Sequence, residues 1–333
     1  MFINISMTES FIIGVILPHT KLFGGVKRFF ELGEIFIRQG HQMIIFTPDG
    51  VSADWCKFNG KVEKISNITS YSLHALFLTE PEFLKDLLAA DSKLKIFYHV
   101  GPRASLKEVL KHKEVILFVN SENMFLLDKK KYGIEGIKAK GGVKLPDEIK
   151  IPVENPSPFT IMCYGRLSRK GKGTGIVVRA VKSLYRKGHN VKLLLFDTPI
   201  DEKGRELAAN FDPGIPFEFI LNHPVDKNEE LFKRADVFVA VEKKGGWSNT
   251  AAEALSAGIP LIASNTGTKD FLIHEETGLK VWRMSWFVEK AILRLMKDYS
   301  LRKKLSVNGR KKMETLDWNS LADFILKYIK DNC

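Results

Sequence analysis

Short apolar runs alternate with amphipathic stretches along the first half of the chain. Each run has the length of a buried strand, and each amphipathic stretch repeats its apolar positions with a helical period. The predicted strands are Ile12–Leu17, Met43–Phe46, Leu94–Tyr98 and Val115–Val119. The predicted helices are Val26–Gln39, with apolar positions at Val26, Phe29, Phe30, Ile35 and Phe36, then Pro81–Ala90 and Ala104–Lys111. Strands that alternate with helices indicate a parallel sheet with crossover connections.

The second half of the chain repeats this alternation after a break. From Leu145 to Pro158 the sequence has four prolines and no period, which is typical of a linker. The strands predicted beyond it are Thr160–Tyr164, Val191–Phe196, Phe217–Leu221, Val237–Val241 and Ile259–Ala263. The predicted helices are Gly173–Arg186, Lys227–Arg234, one that begins at Ser248 and three more before the end.

Two such α/β halves predict two Rossmann-like domains that face each other across a cleft, with ligands bound between them. We place the domains at residues 1–150 and 151–315. Residues 316–333 are predicted to form a C-terminal helix that packs back on the first domain. A chain of 333 residues is long enough for two cores of this size.

Composition places the chain among globular proteins, with 44% hydrophobic and 27% charged residues. The early apolar segment Phe11–Leu17 is much shorter than the roughly 20 residues that span a bilayer. Residues 1–10 lack the basic start of a signal peptide. Cys56, Cys163 and Cys333 match neither a disulfide framework nor a metal-ligand spacing. These features predict a cytoplasmic protein.

The formal charge of +12 is concentrated near the end of the chain, where the last 52 residues have 12 Lys and Arg against 6 Asp and Glu. The basic runs are Lys129–Lys131, Arg302–Lys304 and Arg310–Lys312. Solvated helix faces account for such runs, and a peripheral contact with an anionic membrane at the inner face is the alternative. No aromatic residues interleave with the basic ones, so nucleic acid is not an expected partner.

The most informative segment is Val241–Asp270, in which a Gly-Gly turn leads into a helix. Ser248, Asn249 and Thr250 stand at the start of this helix, and Glu253 follows one turn later. The first turn of a helix presents unpaired N–H groups and the positive end of the helix dipole. The segment therefore predicts an anion site, most simply for a phosphate.

Two further loops have the residues expected beside a phosphate. The strand that ends at Tyr164 continues into the basic, glycine-rich stretch Gly165–Gly173, in which Arg166 with Lys170 or Lys172 would neutralise a diphosphate. A solvated basic turn is the alternative for this loop. In the first half, Gly24 and Gly25 stand between a strand and a helix, where backbone approaches a ligand closely.

These three segments, in this order, resemble the retaining glycosyltransferases of family 4, which have the GT-B architecture. The resemblance is strongest at GWSNTAAEALSAGIPLIAS and covers most of the chain, with residues 1–150 on the acceptor side and 151–315 on the donor side. It implies that Gly24 and Gly25 lie beside the donor diphosphate. It also implies that Arg166 and Lys170, or Lys172 in its place, bind that diphosphate, and that Glu253 holds the ribose.

The chain departs from this family at one position. The family usually has a second glutamate, which contacts the transferred sugar, eight residues before the one that matches Glu253; here Gly245 occupies it. Glu242 takes over that contact if the loop folds back, and otherwise backbone groups of Gly245, Gly246 and Trp247 meet the sugar. The Trp247 ring either forms a floor for the sugar or base or packs between the turn and the helix.

In the first half, His99 ends a strand at a position where the family often has a histidine that lines the cleft. A structural role at the strand end is the alternative. Arg103 and His19 are candidates for contact with the acceptor or a phosphate. With Arg166, Lys170 and Glu242, His99 completes the residues expected to act in the reaction.

The implied activity is a hexosyltransferase-like transfer, with retention, from a nucleotide-diphosphate sugar to a hydroxyl of a cell-surface glycan or lipid-linked acceptor. The leaving phosphate takes the acceptor proton in the front-face mechanism proposed for such enzymes. No cofactor or metal is expected, since no aspartate cluster stands out. A sugar-nucleotide epimerase on the same fold and a binding protein without activity, which Gly245 favours, are the alternatives.

Overall fold

The computed structural model describes residues 10–333, and these form two compact units. Unit 1 runs through Asn120 and adds Met124–Gly142 and Trp318–Cys333, whereas unit 2 comprises Ser121–Asn123 and Val143–Asp317. The chain thus enters unit 2 at residues 142–143 and leaves it at residues 317–318, where the sequence suggested residues 150 and 315. The expectation about a signal peptide concerns residues 1–10, of which the first nine lie outside the described range.

Unit 1 contains a parallel sheet of seven strands, counted over the described residues, in the order β3-β2-β1-β4-β5-β6-β7. The strands are β1 (Ile12–Ile16), β2 (Gln42–Thr47), β3 (Lys61–Lys64), β4 (Ser72–Leu78), β5 (Asp91–His99), β6 (Val115–Val119) and β7 (Ile137–Lys138). The helices along this part of the chain are α1 (Gly24–Arg38), α2 (Leu84–Ala89) and α3 (Glu122–Tyr132).

Helix α1 shows why the apolar spacing predicts this fold. All five of its predicted apolar positions, from Val26 to Phe36, are buried. They lie in one core with β1 and β5, because residues three and four apart share a helix face. The predicted helix is therefore confirmed, although it begins two residues earlier, at Gly24.

Unit 2 contains a second parallel sheet, with six strands in the order β10-β9-β8-β11-β12-β13 over the part of the chain described. The strands are β8 (Phe159–Tyr164), β9 (Val191–Asp197), β10 (Phe217–Leu221), β11 (Val237–Ala240), β12 (Leu261–Ala263) and β13 (Leu279–Lys280). The helices are α4 (Thr174–Arg186), α5 (Glu202–Ala209), α6 (Asn228–Phe232), α7 (Asn249–Ser256), α8 (Ser285–Lys297) and α9 (Tyr299–Met313).

The last helix, α10 (Trp318–Asn332), belongs to unit 1. Its buried residues Trp318, Leu321, Ile325 and Ile329 lie in the same core as β1 and α1. Among residues 10–333, no helix has the length and apolar character needed to cross a membrane.

Several predicted elements differ from the structure. Lys227–Arg234 was expected to be one helix, but α6 covers only Asn228–Phe232 and follows the 3₁₀ turn Val225–Lys227. Ala104–Lys111 was expected to be a helix, yet only the single 3₁₀ turn Val109–Lys111 forms there. Pro81–Ala90 divides into the 3₁₀ turn Pro81–Phe83 and α2. A strand was predicted from Ile259, but β12 begins at Leu261. The carbonyl of Pro260 accepts a hydrogen bond from Phe238, but proline has no N–H to donate, so the ladder begins after it.

Candidate functional site

The predicted site residues of unit 2 lie in loops that leave its sheet at one edge. Strand β8 is the neighbour of both β9 and β11, and all three are parallel. Parallel strands end at the same edge, so the loops that follow them meet there. Arg166, Asp197 and Glu242 stand at or just beyond these three strand ends.

Arg166 is held in place by a carboxylate that the sequence did not single out. Its Nε donates to Asp197 Oδ1 at 2.7 Å and Oδ2 at 3.0 Å, and its Nη2 donates to the carbonyl of Thr198 at 3.0 Å. Both side chains are buried, and the guanidinium carbon lies 5.2 Å from the centre of the Tyr164 ring. This pair fixes the guanidinium beside the Tyr164 ring.

A second ion pair lies at the same edge of the sheet. Lys172 Nζ donates to Glu242 Oε2 at 2.8 Å and lies 5.6 Å from the centre of the Tyr164 ring. Ser248 Oγ donates to the other carboxylate oxygen of Glu242 at 3.2 Å. Glu242 is only 7% exposed, so the Lys172 ammonium balances its charge and Ser248 adds a hydrogen bond to it.

The structure separates the two lysines that the sequence left as alternatives. Lys172 directs its ammonium into the cavity lined by Tyr164, Glu242 and Thr250. Lys170 is exposed, and its carbonyl accepts a hydrogen bond from Arg283. The short turn Lys170–Lys172 and the left-handed Gly173, with a φ of 86°, precede α4 and produce this difference.

Helix α7 begins beside this pair. Ser248 is its N-cap residue, but the hydroxyl bonds to Glu242 and no side chain caps the helix. The backbone at the start of α7, at Asn249 and Thr250, is thus left to a ligand or to water. Glu253, one turn further on, is half-buried and accepts a hydrogen bond from Asn228 at 3.2 Å.

The Gly245–Trp247 turn places a glycine and a tryptophan in different surroundings. A Cβ built on Gly245 would lie 3.4 Å from Glu242 Oε2, in van der Waals contact with that carboxylate. The neighbouring Gly246 is buried. The Trp247 ring is 8% exposed and lies edge-on to Phe271, with ring centres 5.0 Å apart. Its burial in the core favours the packing alternative over a floor for the sugar or base.

In unit 1, His99 ends β5 and pairs with a buried carboxylate. Its Nδ1 lies 3.0 Å from Oδ1 and 2.9 Å from Oδ2 of Asp128, which is on α3. Both residues are buried, and His99 Nε2 has no partner within residues 10–333. Asp128 therefore fixes the ring so that Nε2 remains for another group.

The other predicted residues of unit 1 are distributed around this strand end. Gly24 and Gly25 form the first turn of α1, and a Cβ on Gly25 would come within 3.2 Å of the Val100 side chain. His19 has a buried Nδ1 without a partner among the described residues, and its ring lies 4.9 Å from that of Phe23. Arg103 is exposed on the loop after β5.

Sequence reasoning missed Asp128, Asp197 and Tyr164. Asp128 and Asp197 are about 30 positions from the residues that they contact, so spacing gave no signal for those two pairs. Tyr164 is close in sequence to Arg166 and Lys172, but it was read only as the end of a strand. Asp197 ends β9, and its position at a strand end was the one feature that could have identified it. Burial, together with the Asp197 carboxylate, raises the pKa of the Tyr164 hydroxyl, which therefore remains protonated. Among residues 10–333, no cluster of three or more His, Cys, Asp or Glu is arranged to hold a metal ion.

A comparison with protein families identifies the family to which the chain belongs. The family model for glycosyl transferases group 1 matches residues 146–312, half of the chain. The chain is a member of the group 1 glycosyltransferase family. The matched range contains Arg166, Lys172, Glu242 and Glu253, whereas His99 and the glycines of α1 lie outside it.

Curated relatives agree with this assignment. The group 1 glycosyltransferase is 28% identical, over 186 residues, to CapM, a capsular polysaccharide biosynthesis glycosyltransferase of Staphylococcus aureus. The match covers 52% of this chain and 47% of CapM. The chain thus spans about half the length of the curated relatives it matches.

Solved structures show the fold of the whole group 1 glycosyltransferase. Sucrose-phosphate synthase from Thermosynechococcus elongatus matches with a TM-score of 0.76 and 18% identity, over 96% of this chain and 98% of that one. HepE from Anabaena, in complex with UDP and glucose, matches with a TM-score of 0.75 and 11% identity, over 96% and 100%. Two α/β units with parallel sheets that match these structures confirm the predicted GT-B fold class.

Proposed function

We propose that this group 1 glycosyltransferase transfers a sugar from a nucleotide-diphosphate donor to an acceptor hydroxyl with retention of configuration. The observation that carries the proposal is the convergence of Arg166, Lys172 and the start of α7 at one edge of the unit 2 sheet. Two cations and a helix N-terminus form a site suited to a diphosphate.

In the proposed reaction the bond from the anomeric carbon to the diphosphate oxygen breaks, and its electron pair stays on the diphosphate. A bond from the acceptor oxygen to the anomeric carbon forms on the same face, and the acceptor proton passes to the departing phosphate oxygen. Arg166, fixed by Asp197, and Lys172 would stabilise the charge on the leaving group. Preorganised donors of this kind supply several kcal/mol.

Glu242 is the residue that we propose for the contact with the transferred sugar, in place of the glutamate that the resemblance expects at position 245. Its support is the position of Oε2 beside Gly245 and its pairing with Lys172. A diphosphate that binds Lys172 would compete with this carboxylate and release it toward sugar hydroxyls. Gly245 then leaves the space that Glu242 needs.

For the nucleoside we propose that Glu253 accepts hydrogen bonds from the ribose hydroxyls. The carboxylate is half-buried one turn into α7, and the hydrogen bond from Asn228 orients it. Backbone N–H groups of Gly245 and Gly246 complete the proposed donor side, and Gly24 and Gly25, in the first turn of α1, are the residues of unit 1 that the resemblance assigns to the diphosphate. No metal ion or cofactor takes part in the proposed reaction.

On the acceptor side we propose His99, with Arg103 and His19 as further contacts. The buried Asp128 holds His99 through Nδ1, which leaves Nε2 to a hydroxyl. CapM is named for capsular polysaccharide biosynthesis, which supports a cell-surface glycan or its lipid-linked precursor as the acceptor. The proposed place of action is the inner face of the membrane.

A sugar-nucleotide-binding protein without transfer is the second candidate, and Gly245 is the observation that favours it. The two functions differ in turnover. Titration calorimetry with UDP, GDP and ADP identifies the base, and HepE with UDP and glucose makes uridine the first to test. Incubation with the corresponding sugar nucleotides then measures release of the diphosphate. Binding with release supports the transferase, binding without release supports the second candidate, and absence of binding contradicts both.

A further inference from the structure

An exposed aromatic segment runs from the loop after β13 into the first turn of α8 in unit 2. Trp282 is 74% exposed, Met284 60% and Trp286 53%, at alternate positions within five residues. Large apolar side chains that are grouped on a surface mark a site of interaction, whereas isolated ones need no explanation. The core of unit 2 does not use these three side chains.

Arg283, between Trp282 and Met284, connects this segment to the loops of the candidate donor site. Arg283 Nε donates to the carbonyl of Val241 at 2.8 Å, and Nη2 donates to that of Lys170 at 3.0 Å. Val241 precedes Glu242, and Lys170 begins the turn that ends at Lys172. The aromatic segment is therefore held by a fixed anchor next to the residues that we place at the diphosphate.

The surroundings of the segment are basic. Lys170, Lys243 and Lys244 are exposed, and the backbone N–H of Lys243 donates to the carbonyl of Gly171 at 2.8 Å, which joins their two loops. On the other side, Lys290 Nζ lies 3.7 Å from the centre of the Trp286 ring. The one carboxylate within residues 280–290, Glu289, is buried and pairs with Lys187.

We infer that Trp282, Met284 and Trp286 insert into the interface of an anionic phospholipid membrane. Tryptophan prefers the boundary between head groups and acyl chains, since its ring is apolar and its N–H is polar. Exposed lysines on both sides match the negative head groups. A glycan site would pair such rings with carboxylates or amides, and a contact between two copies would be depleted of lysine at its centre.

This membrane site differs from the runs that the sequence suggested. Lys129 of the first run pairs with Glu135 at 2.5 Å. In the C-terminal helices, Arg302 is buried and donates to backbone carbonyls, and Arg310 donates to those of Pro146 and Ser256. Backbone carbonyls thus hold these two arginines, whereas Lys303, Lys304 and Lys311 of the same runs are exposed.

Flotation with vesicles tests the inference without any sugar substrate, so its failure is distinct from failure of the proposed function. The chain is mixed with vesicles of phosphatidylcholine, alone or with phosphatidylglycerol. We expect flotation with the anionic vesicles and a loss of about tenfold or more in the W282A/M284A/W286A variant, which removes the inserted apolar area. The control variant Y185A/L207A/V307A, at exposed apolar positions elsewhere on unit 2, should float like the wild type.

Fluorescence then tests insertion itself. The chain has five tryptophans, and Trp55, Trp247 and Trp318 are buried or half-buried. Brominated acyl chains should therefore quench the emission of Trp282 and Trp286. The W282F/W286F variant should keep most of the binding but lose the quenching. K243A/K244A should weaken binding by on the order of tenfold and reduce its dependence on salt.

Three results would overturn the inference. The first is the absence of flotation with anionic vesicles, and the second is equal flotation of the triple variant and the wild type. The third is a dimer in sedimentation velocity that the triple variant lacks, with no flotation, because a second copy of the chain would then cover this surface.

Discussion

The carboxylate oxygen Oε2 of Glu242 lies 3.4 Å from the point where a Cβ would extend from Gly245. The same oxygen accepts a hydrogen bond from Lys172, so one carboxylate joins the basic loop of unit 2 to the turn before α7. A side chain that extended from position 245 would therefore lie against the Glu242 carboxylate, which makes the two positions neighbours in the turn.

The proximity of these two positions predicts what happens when the glutamate is moved from position 242 to position 245. Glu242→Ala should lower kcat by on the order of a hundredfold, because it removes the proposed sugar contact and a partner of Lys172. Gly245→Glu alone should also lower activity, since two carboxylates would share one space. The double variant E242A/G245E should recover part of the loss. Steady-state kinetics with the preferred donor measure all three, and a double variant no better than either single one would contradict the pairing.

Arg166 is expected to act on the leaving group. Arg166→Ala should lower kcat/KM for the donor by about 10²- to 10³-fold. Arg179→Ala, at an exposed arginine of α4, is the matched control and should have little effect. Asp197→Ala would leave a buried guanidinium without its partner and should lower the free energy of unfolding by about 3–5 kcal/mol in urea denaturation. Unchanged kinetics of Arg166→Ala would remove this residue from the mechanism.

The two lysines of the basic loop should respond differently. Lys172→Ala should lower kcat by on the order of a hundredfold, because its ammonium lies at Glu242 and Tyr164. Lys170→Ala should have little effect on kcat, since its side chain is exposed. Kinetics of the two variants under the same conditions decide between them, and a larger effect at Lys170 would reverse the assignment.

The cysteines provide a test of burial that is independent of activity. Burial raises the pKa of the Cys163 thiol to about 12, and burial together with Glu31, Glu34 and Asp54 raises that of Cys56 to about 11. In the native protein a disulfide reagent at mildly alkaline pH should therefore modify the exposed Cys333 first, and Cys333→Ser should remove that fast phase. Fast modification of Cys163 would contradict its burial.

The same shifts predict how stability depends on pH. Because the folded-state pKa of both thiols lies above the ordinary value of 9.0, the unfolded chain loses these protons first. Their contribution is present below about pH 9 and is lost as the pH rises toward 12. Urea denaturation should show a free energy of unfolding that falls across this window.

The sequence predicted most of the sheet because its central strands are continuous apolar runs bounded by loops. It missed β4, because His74 interrupts the apolar run in the sequence there. In the structure, His74 Nδ1 accepts a hydrogen bond from the backbone N–H of Ile12. It also missed α5, which is charged on most faces and begins at an Asp201 cap that accepts from Gly204 at 2.7 Å. In β4 the apolar run is broken by a histidine that bonds to the neighbouring strand, and in α5 a polar cap begins a helix that has no clear apolar period.

Candidate residues could be predicted from the sequence where a single loop contains the whole signal. Contacts between residues of two different loops could not be predicted. Arg166 and Glu253 each follow from the segment that contains them. The pairing of Arg166 with Asp197 and of His99 with Asp128 joins residues about 30 positions apart, and no spacing rule reports it. The choice between Lys170 and Lys172 depends on the backbone of the turn before Gly173, which the composition of the loop leaves open.

Transfer with retention is the central claim, and the configuration of the product tests it most directly. The chain is incubated with an α-linked sugar nucleotide and methanol as the acceptor, and proton NMR follows the anomeric signal, since a methyl glycoside does not change its configuration after release. We predict an α-methyl glycoside with wild-type protein and a product rate at least about a hundredfold lower with Arg166→Ala. A β-methyl glycoside, or no turnover of any donor that binds, would contradict the account.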